Sequence, residues 1–439
     1  MAQIISDNKV NRKSGAKPRL VVIGGGFAGL NFIKKIDRKN WDITLVDRNN
    51  YHSFPPLFYQ VASSGLDPAS ISFPFRREIR ARAKGVDFNM GNVKTINFKE
   101  KAVITQYETI HYDKLVIAAG TTNNFYNIPD LKKNVYTLKS TTEAIRCRND
   151  ILDRLERAAF MEDQASRRKL LTFTIIGGGP TGVEIAGALG EMKRYILKRE
   201  YPHICPEDVT VNLIEGSDKL LRTMSPKASS EVLEYMDHLM VNVKLGKTME
   251  SYNQNIIKFT DGEELYTQML IWTAGITGEP FKFTGGKPQM GPGNRFVVDE
   301  FNKVQGVDDV FALGDICIHI DDEYPRGCPQ LAQVAIQQAK TLAYNLKKKA
   351  FVKPFRYKDK GTMATVGRNR AVCDLKHLHM YGRPAWFTWM FVHLISLLGM
   401  RNKISVLLSW IWSYFTYTSG ARLLLHPNRY PLRERWGEK

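Results

Sequence analysis

Two glycine-rich segments of the sequence have the spacing that binds the pyrophosphate of a dinucleotide. In the first, Gly24, Gly26 and Gly29 follow the apolar run 19–23 and open a helical stretch. The first glycine permits a tight turn, the second lets the backbone approach the phosphates, and the third allows the helix to pack closely on the strand. Asp47 ends the next apolar run, where a carboxylate accepts a hydrogen bond from a ribose hydroxyl. This order of elements predicts a nucleotide site.

The second segment repeats the arrangement. Gly177, Gly179 and Gly182 follow the apolar run 173–176, and Glu215 stands at the end of the next run. A carboxylate at this position repels a 2′-phosphate, so the site favours NADH over NADPH. Two dinucleotide sites in one chain predict a flavin in the first and a nicotinamide in the second, with hydride passing from the nicotinamide to the flavin.

One acidic residue lies beside the second turn. Glu184 follows Gly182 by two positions, where the nicotinamide ring is expected. This carboxyl could position the ring or handle a proton. The alternative is an ordinary glutamate in a first helical turn, which the helix dipole stabilises. The sequence leaves both interpretations open.

Three more apolar runs end in small residues suited to a nucleotide site. After the run 310–313, Gly314 keeps the backbone close and Asp315 is placed to accept a hydrogen bond from a ribityl hydroxyl, although an aspartate in a plain turn is the alternative. The runs 115–118 and 269–272 end in Ala119-Gly120 and Ala274-Gly275, respectively.

A helix predicted from Gln330 carries two amides on one face. Gln333 and Gln337 are four residues apart and therefore neighbours on a helix surface. They could donate to carbonyl oxygens of a flat ring that lies on the small apolar side of the helix; two glutamines on a solvated face are the alternative. That apolar side consists of Ala332, Ala335 and Ile336.

The composition is that of a globular protein in a reducing compartment. Hydrophobic residues make up 43% and charged residues 24% of the 439 residues, which excludes a disordered or collagen-like chain. The five cysteines contain no C-x-x-C pair, which argues against a disulfide scaffold, a zinc ribbon or a thioredoxin-like centre, and no metal site is expected.

The C-terminal fifth of the chain is basic and aromatic. Residues 356–439 hold 14 Lys and Arg against 4 Asp and Glu, and five of the seven Trp, within a net charge of +19. No motif for nucleic-acid recognition is present, so the partner expected for this charge is an anionic lipid surface.

Two apolar segments in this region are too short to span a bilayer. At ~1.5 Å per residue, the segments 386–400 and 404–417 reach roughly 21–23 Å, whereas the hydrocarbon core needs ~30 Å. In the second segment, the hydroxyl side chains fall on one helical stripe and the large apolar ones fall away from it. This amphipathic pattern favours helices that lie in the membrane interface. Buried core helices or a dimer contact are the alternative.

At this point the sequence resembles the type II (single-subunit, non-pumping) NADH:quinone oxidoreductases, within the two-dinucleotide-binding-domain flavoproteins. The resemblance covers about residues 19–422. Besides the glycine-rich turns, it rests on the segments 50–62, 312–315 and 361–364, the signature Ala332-Gln333-x-Ala335-x-Gln337 and the paired C-terminal helices.

The resemblance implies the roles of the candidate residues. FAD would lie in the first module, with Asp47 on its ribose, Asp315 on its ribityl chain, and backbone near Gly314 and Gln333 against its ring. NADH would bind around Gly177–Gly182, Glu184 and Glu215. Gln333 and Gln337 would line a quinone tunnel that opens onto the membrane-bound helices, with Lys403 near its mouth. One departure is Ile33, where the family often has a small residue; Ala186 keeps it in the second module.

Two alternative functions share parts of this pattern. A sulfide:quinone oxidoreductase needs paired redox cysteines near the flavin, but here no cysteine precedes Cys147, which also argues against a soluble disulfide reductase. A membrane-tethered NAD(H)-binding protein without turnover would leave the Ala-Gln signature unused. We expect the cytoplasmic face of the cell inner membrane, and the sequence leaves a homodimer and the choice of ubiquinone or menaquinone open.

The sequence thus predicts an α/β protein with two Rossmann-like domains, the second inserted in the first. The predicted boundaries are a flexible tail at 1–18, the FAD-binding domain at 19–165 and 291–355, the NADH-binding domain at 166–290, and a C-terminal membrane-anchoring domain at 356–439.

Overall fold

The computed structural model describes residues 15–348, 350–416 and 421–424. Most of the predicted N-terminal tail and the end of the predicted membrane-anchoring domain lie outside the described residues. The α-helices are α1 (Phe27–Lys35), α2 (Phe58–Ala62), α3 (Phe75–Arg82), α4 (Leu131–Asn134), α5 (Thr141–Ala159), α6 (Gln164–Leu170), α7 (Pro180–Glu191), α8 (Leu197–Glu200), α9 (Pro226–His238), α10 (Ala332–Lys348), α11 (Gly382–Ser396) and α12 (Met400–Thr416).

Short strands and four 3-10 helical turns (Pro55–Leu57, Pro68–Ile71, Pro206–Asp208 and Gly314–Ile316) make up the remaining regular structure of the described residues, and a π-helical turn (Met192–Ile196) joins α7 to α8. The strands are β1 (Arg19–Ile23), β2 (Asp42–Asp47), β3 (Tyr51–Ser53), β4 (Ser72–Pro74), β5 (Val86–Met90), β6 (Val93–Asn97), β7 (Ala102–Thr105), β8 (Thr109–His111), β9 (Lys114–Ile117), β10 (Thr121–Asn123), β11 (Thr172–Ile176), β12 (Thr210–Ile214), β13 (Asn242–Lys244), β14 (Met249–Asn253), β15 (Ile256–Phe259), β16 (Glu264–Tyr266), β17 (Met269–Trp272), β18 (Ile276–Gly278), β19 (Lys282–Thr284), β20 (Met290–Gly291), β21 (Arg295–Val298), β22 (Val310–Ala312), β23 (Cys317–His319), β24 (Thr362–Thr365), β25 (Ala371–Leu375) and β26 (Leu378–Tyr381).

The first of two compact units is built on a parallel sheet. It comprises residues 15–53, 73–122 and 276–360 of the described chain. Its strands follow the order β22-β9-β1-β2-β5, and every pair is parallel. Strand β1 is central, and its residues from Leu20 to Ile23 are apolar and buried, as expected of a strand with both faces covered. Helices α1 and α10 pack against each other in this unit.

The second unit repeats the plan with a four-stranded parallel sheet. It comprises residues 54–72 and 123–275 together with the described residues from 361 on. Its strands follow the order β13-β12-β11-β17, and β11 lies in parallel register with both β12 and β17. A strand–turn–helix–strand module therefore occurs twice, and the prediction of two Rossmann-like folds is confirmed.

The structure divides the chain at other residues than the sequence predicted. The second unit begins at 123 rather than 166, because α5 packs on α2 and both belong to it. The first unit resumes at 276 rather than 291, since the Glu279 N–H donates to the Gly120 carbonyl at 3.2 Å. The described C-terminal residues belong to the second unit, where α11 packs on β25.

The two C-terminal helices are separated at a different place from the one predicted. Residues 401–403, expected to interrupt the apolar segments, lie inside α12, and the break falls at Leu397–Gly399. Gly399 has φ +72°, which a residue with a side chain rarely adopts. Among the described residues, none of the helices combines the length and apolar character that crossing a bilayer requires.

Candidate cofactor and substrate sites

The first glycine-rich turn lies between β1 and α1, and its three glycines have different structural roles. Gly24 has φ +93°, and a Cβ there would stand 2.4 Å from the Ala118 carbonyl oxygen. A Cβ on Gly29 would stand 1.9 Å from the carbonyl oxygen of Gly24, so helix and turn touch directly. A Cβ on Gly26 would meet no atom within 4 Å. The open side of the turn at Gly26 and the helix N-terminus behind it fit a pyrophosphate.

Asp47, at the end of β2, is tied to this turn. Its Oδ2 accepts from the Gly25 N–H at 2.7 Å, and its Oδ1 accepts from the Asn49 N–H at 2.8 Å. Burial raises the pKa of Asp47 above its ordinary value, against the opposing effect of these hydrogen bonds. Each carboxylate oxygen has a further lone pair, so Asp47 can hold the turn and still accept from a ribose hydroxyl.

His52 supports the same turn and was not among the predicted site residues. Its Nδ1 lies 2.8 Å from the Gly25 carbonyl oxygen, and its ring meets the edge of Phe27 with centroids 5.6 Å apart. Burial lowers the pKa of His52 to about 4, so the imidazole is neutral and its Nδ1–H donates to Gly25. The only signal in the sequence was that His52 lies in the segment 50–62, one of the segments on which the family resemblance rests; the resemblance gave His52 no role.

The second turn, between β11 and α7, has the same kinds of contact as the first. A Cβ on Gly182 would stand 1.8 Å from the Gly177 carbonyl oxygen, whereas a Cβ on Gly179 would meet nothing within 4 Å. Glu215 Oε2 accepts from the Gly178 N–H at 2.5 Å, and its Oε1 accepts from the Ser217 N–H at 2.8 Å. This turn therefore also has one open glycine and one anchored carboxylate, which fits a dinucleotide.

The predicted strand-end residues border these turns within each unit. Gly177, with φ +113°, approaches the backbone nitrogen of Ala274 so closely that a Cβ would stand 2.8 Å away, just as Gly24 approaches Ala118 and Ala119. The left-handed glycines that follow these alanines are Gly120 (φ +70°) and Gly275 (φ +104°).

Glu184 is the fifth residue of α7 and is only 7% exposed. Its carboxyl accepts from the Thr365 backbone N–H and has the Trp389 indole beside it. Burial raises the pKa of Glu184 well above its ordinary value, because neither of these neighbours carries a positive charge. The carboxyl therefore keeps its proton at pH values where an exposed glutamate is ionised. The alternative in the sequence, an ordinary first-turn glutamate stabilised by the helix dipole, does not account for this burial.

Gly314 and Asp315 follow β22, where the sequence placed them. The Gly314 N–H donates to Gln338 Oε1 at 2.7 Å, and a Cβ on Gly314 would stand 3.1 Å from that of Ala335. Gln338 is 1% exposed and anchors this loop, a role that the sequence analysis missed. Its signal was its position directly after Gln337 on the inner side of α10.

The two glutamines of the signature bind a segment of the chain itself. Gln337 Nε2 donates to the Lys358 carbonyl at 2.9 Å, and its Oε1 accepts from the Lys358 N–H at 3.0 Å. Gln333 Oε1 accepts from the Lys360 N–H at 3.0 Å. The pair is therefore not a solvated helix face. It fixes the extended segment 358–360 along α10, beside the half-buried Ala332 and Ile336 and the buried Ala335.

Lys403 lies in the first turn of α12, and its Nζ donates to the Ile395 carbonyl at 2.6 Å. Ile395 is in the last turn of α11, where carbonyl groups lack helical partners, so the lysine caps that helix. This contact assigns Lys403 a structural role, and its predicted place at a quinone mouth stays a prediction.

Comparison with known proteins identifies the class and then the family. The sequence model of the pyridine nucleotide-disulphide oxidoreductases matches residues 18–339, and that of the NDH2 C-terminal domain matches residues 360–417. The chain is 32% identical over 425 residues to the type II NADH:quinone oxidoreductase Ndh of Mycobacterium tuberculosis, covering 92% of this chain and 89% of that protein. It is 29% identical to a mitochondrial internal alternative NAD(P)H-ubiquinone oxidoreductase of Arabidopsis thaliana, covering 93% and 86%.

Solved structures agree on the fold. The structure of NDH2 from Plasmodium falciparum in complex with NADH superposes with a TM-score of 0.84 at 21% identity, covering 94% of this chain and 100% of that one. A sulfide:quinone oxidoreductase from Aquifex aeolicus reaches 0.69 at 16% identity, covering 94% and 96%. Both likenesses concern the fold alone.

The two modules and the sequence matches define a flavin-dependent pyridine nucleotide oxidoreductase. Within that class, the chain belongs to the family of type II NADH:quinone oxidoreductases, which oxidise NADH and reduce quinone. The prediction of FAD as cofactor and NADH as substrate is confirmed, and the sulfide-oxidising alternative is not favoured.

Proposed function

We propose that the chain is a peripheral membrane flavoenzyme that oxidises NADH at the second turn, transfers the electrons through FAD bound at the first turn, and reduces a membrane quinone to quinol without pumping protons. The observation that carries the proposal is the duplicated turn. Each copy has a glycine with open space above it, at Gly26 and Gly179, and an anchored carboxylate at the end of the next strand.

The residues of the first turn bind and orient the flavin nucleotide. FAD bound there would supply the hydride- and electron-transfer chemistry between NADH and quinone. The backbone at Gly24–Gly29 binds the pyrophosphate, Asp47 accepts from the ribose, and Asp315 accepts from the ribityl chain. Gln338 keeps Asp315 in place because it anchors the neighbouring Gly314.

The residues of the second turn bind NADH and select it over NADPH. Glu215 accepts from the adenosine ribose hydroxyls and repels a 2′-phosphate. Burial raises the pKa of Glu184, and we assign this carboxyl to the neighbourhood of the nicotinamide, where it can hold a proton. Quinone reduction consumes two electrons and two protons; the hydride of NADH accounts for both electrons and one proton, and the second proton comes from solution.

The amides of Gln333 and Gln337 form one wall of the quinone site, with Ala332, Ala335 and Ile336 as its apolar part. Supporting this role, the amides fix segment 358–360 along α10 and thereby shape a rigid surface. Lys403 caps the end of α11, and the resemblance to the family implies a place for it at the quinone site.

Helices α11 and α12 attach the protein to the membrane surface. Their exposed side chains are large and apolar, including Phe391 at 64%, Leu408 at 60% and Phe415 at 78% exposure. Exposure of such apolar faces to water is unfavourable, whereas they can insert into the interface of a lipid bilayer. The basic C-terminal fifth favours an anionic lipid surface, and we place the protein on the cytoplasmic face of the inner membrane.

An anaerobic absorbance experiment tests the reaction. Purified protein with its bound flavin is mixed with NADH, and a water-soluble quinone is added after the flavin absorbance has changed. We expect NADH to bleach the flavin and the quinone to restore it, with NADPH far less effective. Bleaching by sulfide but not by NADH would contradict the proposal. Sedimentation of the solubilised protein tests whether it is a homodimer, which the sequence leaves open.

A further inference from the structure

A cavity of about 370 Å³ opens in the second unit, away from the nucleotide turn. Its walls are the end of α7 with the π-helical turn that follows it, α9, the turn between β24 and β25, and the start of α11. Glu191 on its wall is 11 residues beyond Pro180, where α7 begins, which places the cavity about 16 Å along the helix from the glycine-rich turn. The lining residues are Glu191, Tyr195, Tyr235, Arg368, Asn369, Arg370, Gly382 and Arg383.

Positive charge predominates in this cavity. Three arginines face one acid, Glu191, whose Oε1 already accepts from the Arg368 backbone N–H at 2.9 Å. Burial raises the pKa of Glu191 even though Arg368 and Arg370 oppose that rise. A second acid, Glu231, lies outside the lining and accepts from the Tyr235 hydroxyl at 2.8 Å. Arg194 of the π-helical turn donates to the His238 carbonyl and adds a further positive charge, so the cationic side chains outnumber the acids. The cavity therefore suits an anion.

Two of the arginines are available to a ligand. Among the described residues, the side chains of Arg370 and Arg383 make neither a hydrogen bond nor an ion pair. Arg368, in contrast, donates to the Tyr414 carbonyl at 3.0 Å and to Ser413 Oγ at 3.2 Å, and so joins the cavity to the end of α12. Guanidinium groups bind phosphate oxygens in pairs, which gives such a site both strength and geometry.

The exposed face of α11 indicates whether the cavity binds a free phosphate or a phosphate that carries an apolar tail. Arg383 heads a stripe of this helix that continues at four-residue intervals with Phe387, Phe391 and Ile395, which are 56%, 64% and 55% exposed. A molecule with its phosphate at Arg383 and Arg370 can therefore lay an apolar tail along the same face of α11. A free phosphate would leave this face unused.

We propose that this cavity binds the phosphate of an anionic phospholipid whose acyl chains lie along α11. The inference rests on the proposed membrane attachment, but it adds a defined site for one headgroup where that attachment requires only an apolar surface. It also gives a phosphate-binding role to Arg370 and Arg383, which take no part in the redox reaction.

Native mass spectrometry of the full-length protein in a nonionic detergent tests the site. The protein is stripped of lipid and titrated with phosphatidylglycerol, with phosphatidylcholine and with inorganic phosphate. The test variant is R370Q/R383Q, and the matched control is R77Q/R80Q, which removes two exposed arginines of α3. Arg368 is left intact because it holds α12.

We expect one phosphatidylglycerol per chain in the wild type and in R77Q/R80Q, and about tenfold weaker binding in R370Q/R383Q. Phosphatidylcholine should bind more weakly to all three proteins. Equal retention of phosphatidylglycerol by R370Q/R383Q, or equal loss in both variants, would overturn the site. Displacement of the lipid by dilute inorganic phosphate would overturn the lipid as its source. Lipid counts in detergent do not depend on vesicle binding or turnover, so a failure of the proposed function would show separately.

Discussion

Glu184 illustrates how the fold sets the chemistry of one residue. A glutamate two positions after a glycine-rich turn gives no sign in the sequence of being protonated. The structure supplies the cause: α7 places the side chain against β24 and α11, and burial raises the pKa of its carboxyl. Burial also raises the pKa of Asp47, but there two backbone N–H groups stabilise the charged carboxylate and oppose the rise. The two acids are therefore expected to behave differently with pH.

The variant E184Q tests the protonation of this carboxyl through stability. Because the pKa of Glu184 is raised in the folded protein, the folded state binds more protons than the unfolded chain above the ordinary value of 4.5, and stability is lost as the pH rises from there. Glutamine does not titrate, so E184Q should not show this loss. In the wild type, the free energy of unfolding should fall by ~1.4 kcal/mol for each pH unit between 4.5 and the raised pKa. Urea unfolding at several pH values measures it.

The control for this measurement is E264Q, which replaces an exposed glutamate of β16 in the same unit. Its unfolding free energy should follow the wild type at every pH, and E184Q should match the wild type only at acidic pH. Parallel curves for E184Q and the wild type would show that Glu184 ionises normally.

At the scale of elements, each strand–turn–helix module separates its structural glycines from its binding glycine. A methyl group at Gly29 or Gly182 would collide with the turn itself, whereas one at Gly26 or Gly179 would point into open space. Both open glycines have ordinary negative φ values, −68° and −74°, so alanine is compatible with their backbone. The same substitution thus probes folding at one position and ligand binding at the other.

The pair G26A and G179A tests this division. The methyl group occupies space that the pyrophosphate needs, so G179A should raise KM for NADH about tenfold, ~1.4 kcal/mol, and leave the flavin content unchanged. G26A should lower the flavin content of the purified protein, with the second unit still able to bind NADH. Absorbance of bound flavin and steady-state kinetics measure both effects, and each variant is the control for the other. An unchanged KM in G179A would contradict NADH binding at this turn.

The elements also show what the sequence could and could not predict. Strands β1 and β17 have the predicted bounds, since runs of buried apolar residues end abruptly at Gly24 and Thr273. The helix break near residue 400 was misplaced, because hydropathy marks the polar residues 401–403, whereas the backbone breaks at Gly399. The partners of Gln333 and Gln337 lie more than 20 residues away, and no local pattern specifies such contacts.

At the scale of the whole molecule, the sequence predicted two nucleotide modules but not where the chain passes between them. Module cores follow from local periodicity, whereas the assignment of residues 54–72 to the second unit depends on contacts distant in sequence. One such contact joins Gln60 Oε1 to the Trp410 indole N–H at 2.8 Å. Asn402, also on α12, donates to the Ala69 and Ser70 carbonyls at 3.0 and 2.9 Å. These bonds fix one face of α12 and leave its apolar face exposed.

That exposed face leads to a prediction about where the molecule resides. Burial of a phenylalanine in the interface is worth about 1.5–3 kcal/mol, so F391E/F415E should lose binding to neutral phosphatidylcholine vesicles by at least about tenfold. The matched control S396E/S405E adds the same charge to exposed serines of the same two helices and should bind nearly as well. Vesicle co-sedimentation gives the comparison, and turnover with a soluble quinone should survive in both variants. Equal losses in the two variants would mean that charge, rather than the apolar face of α11 and α12, decides membrane binding.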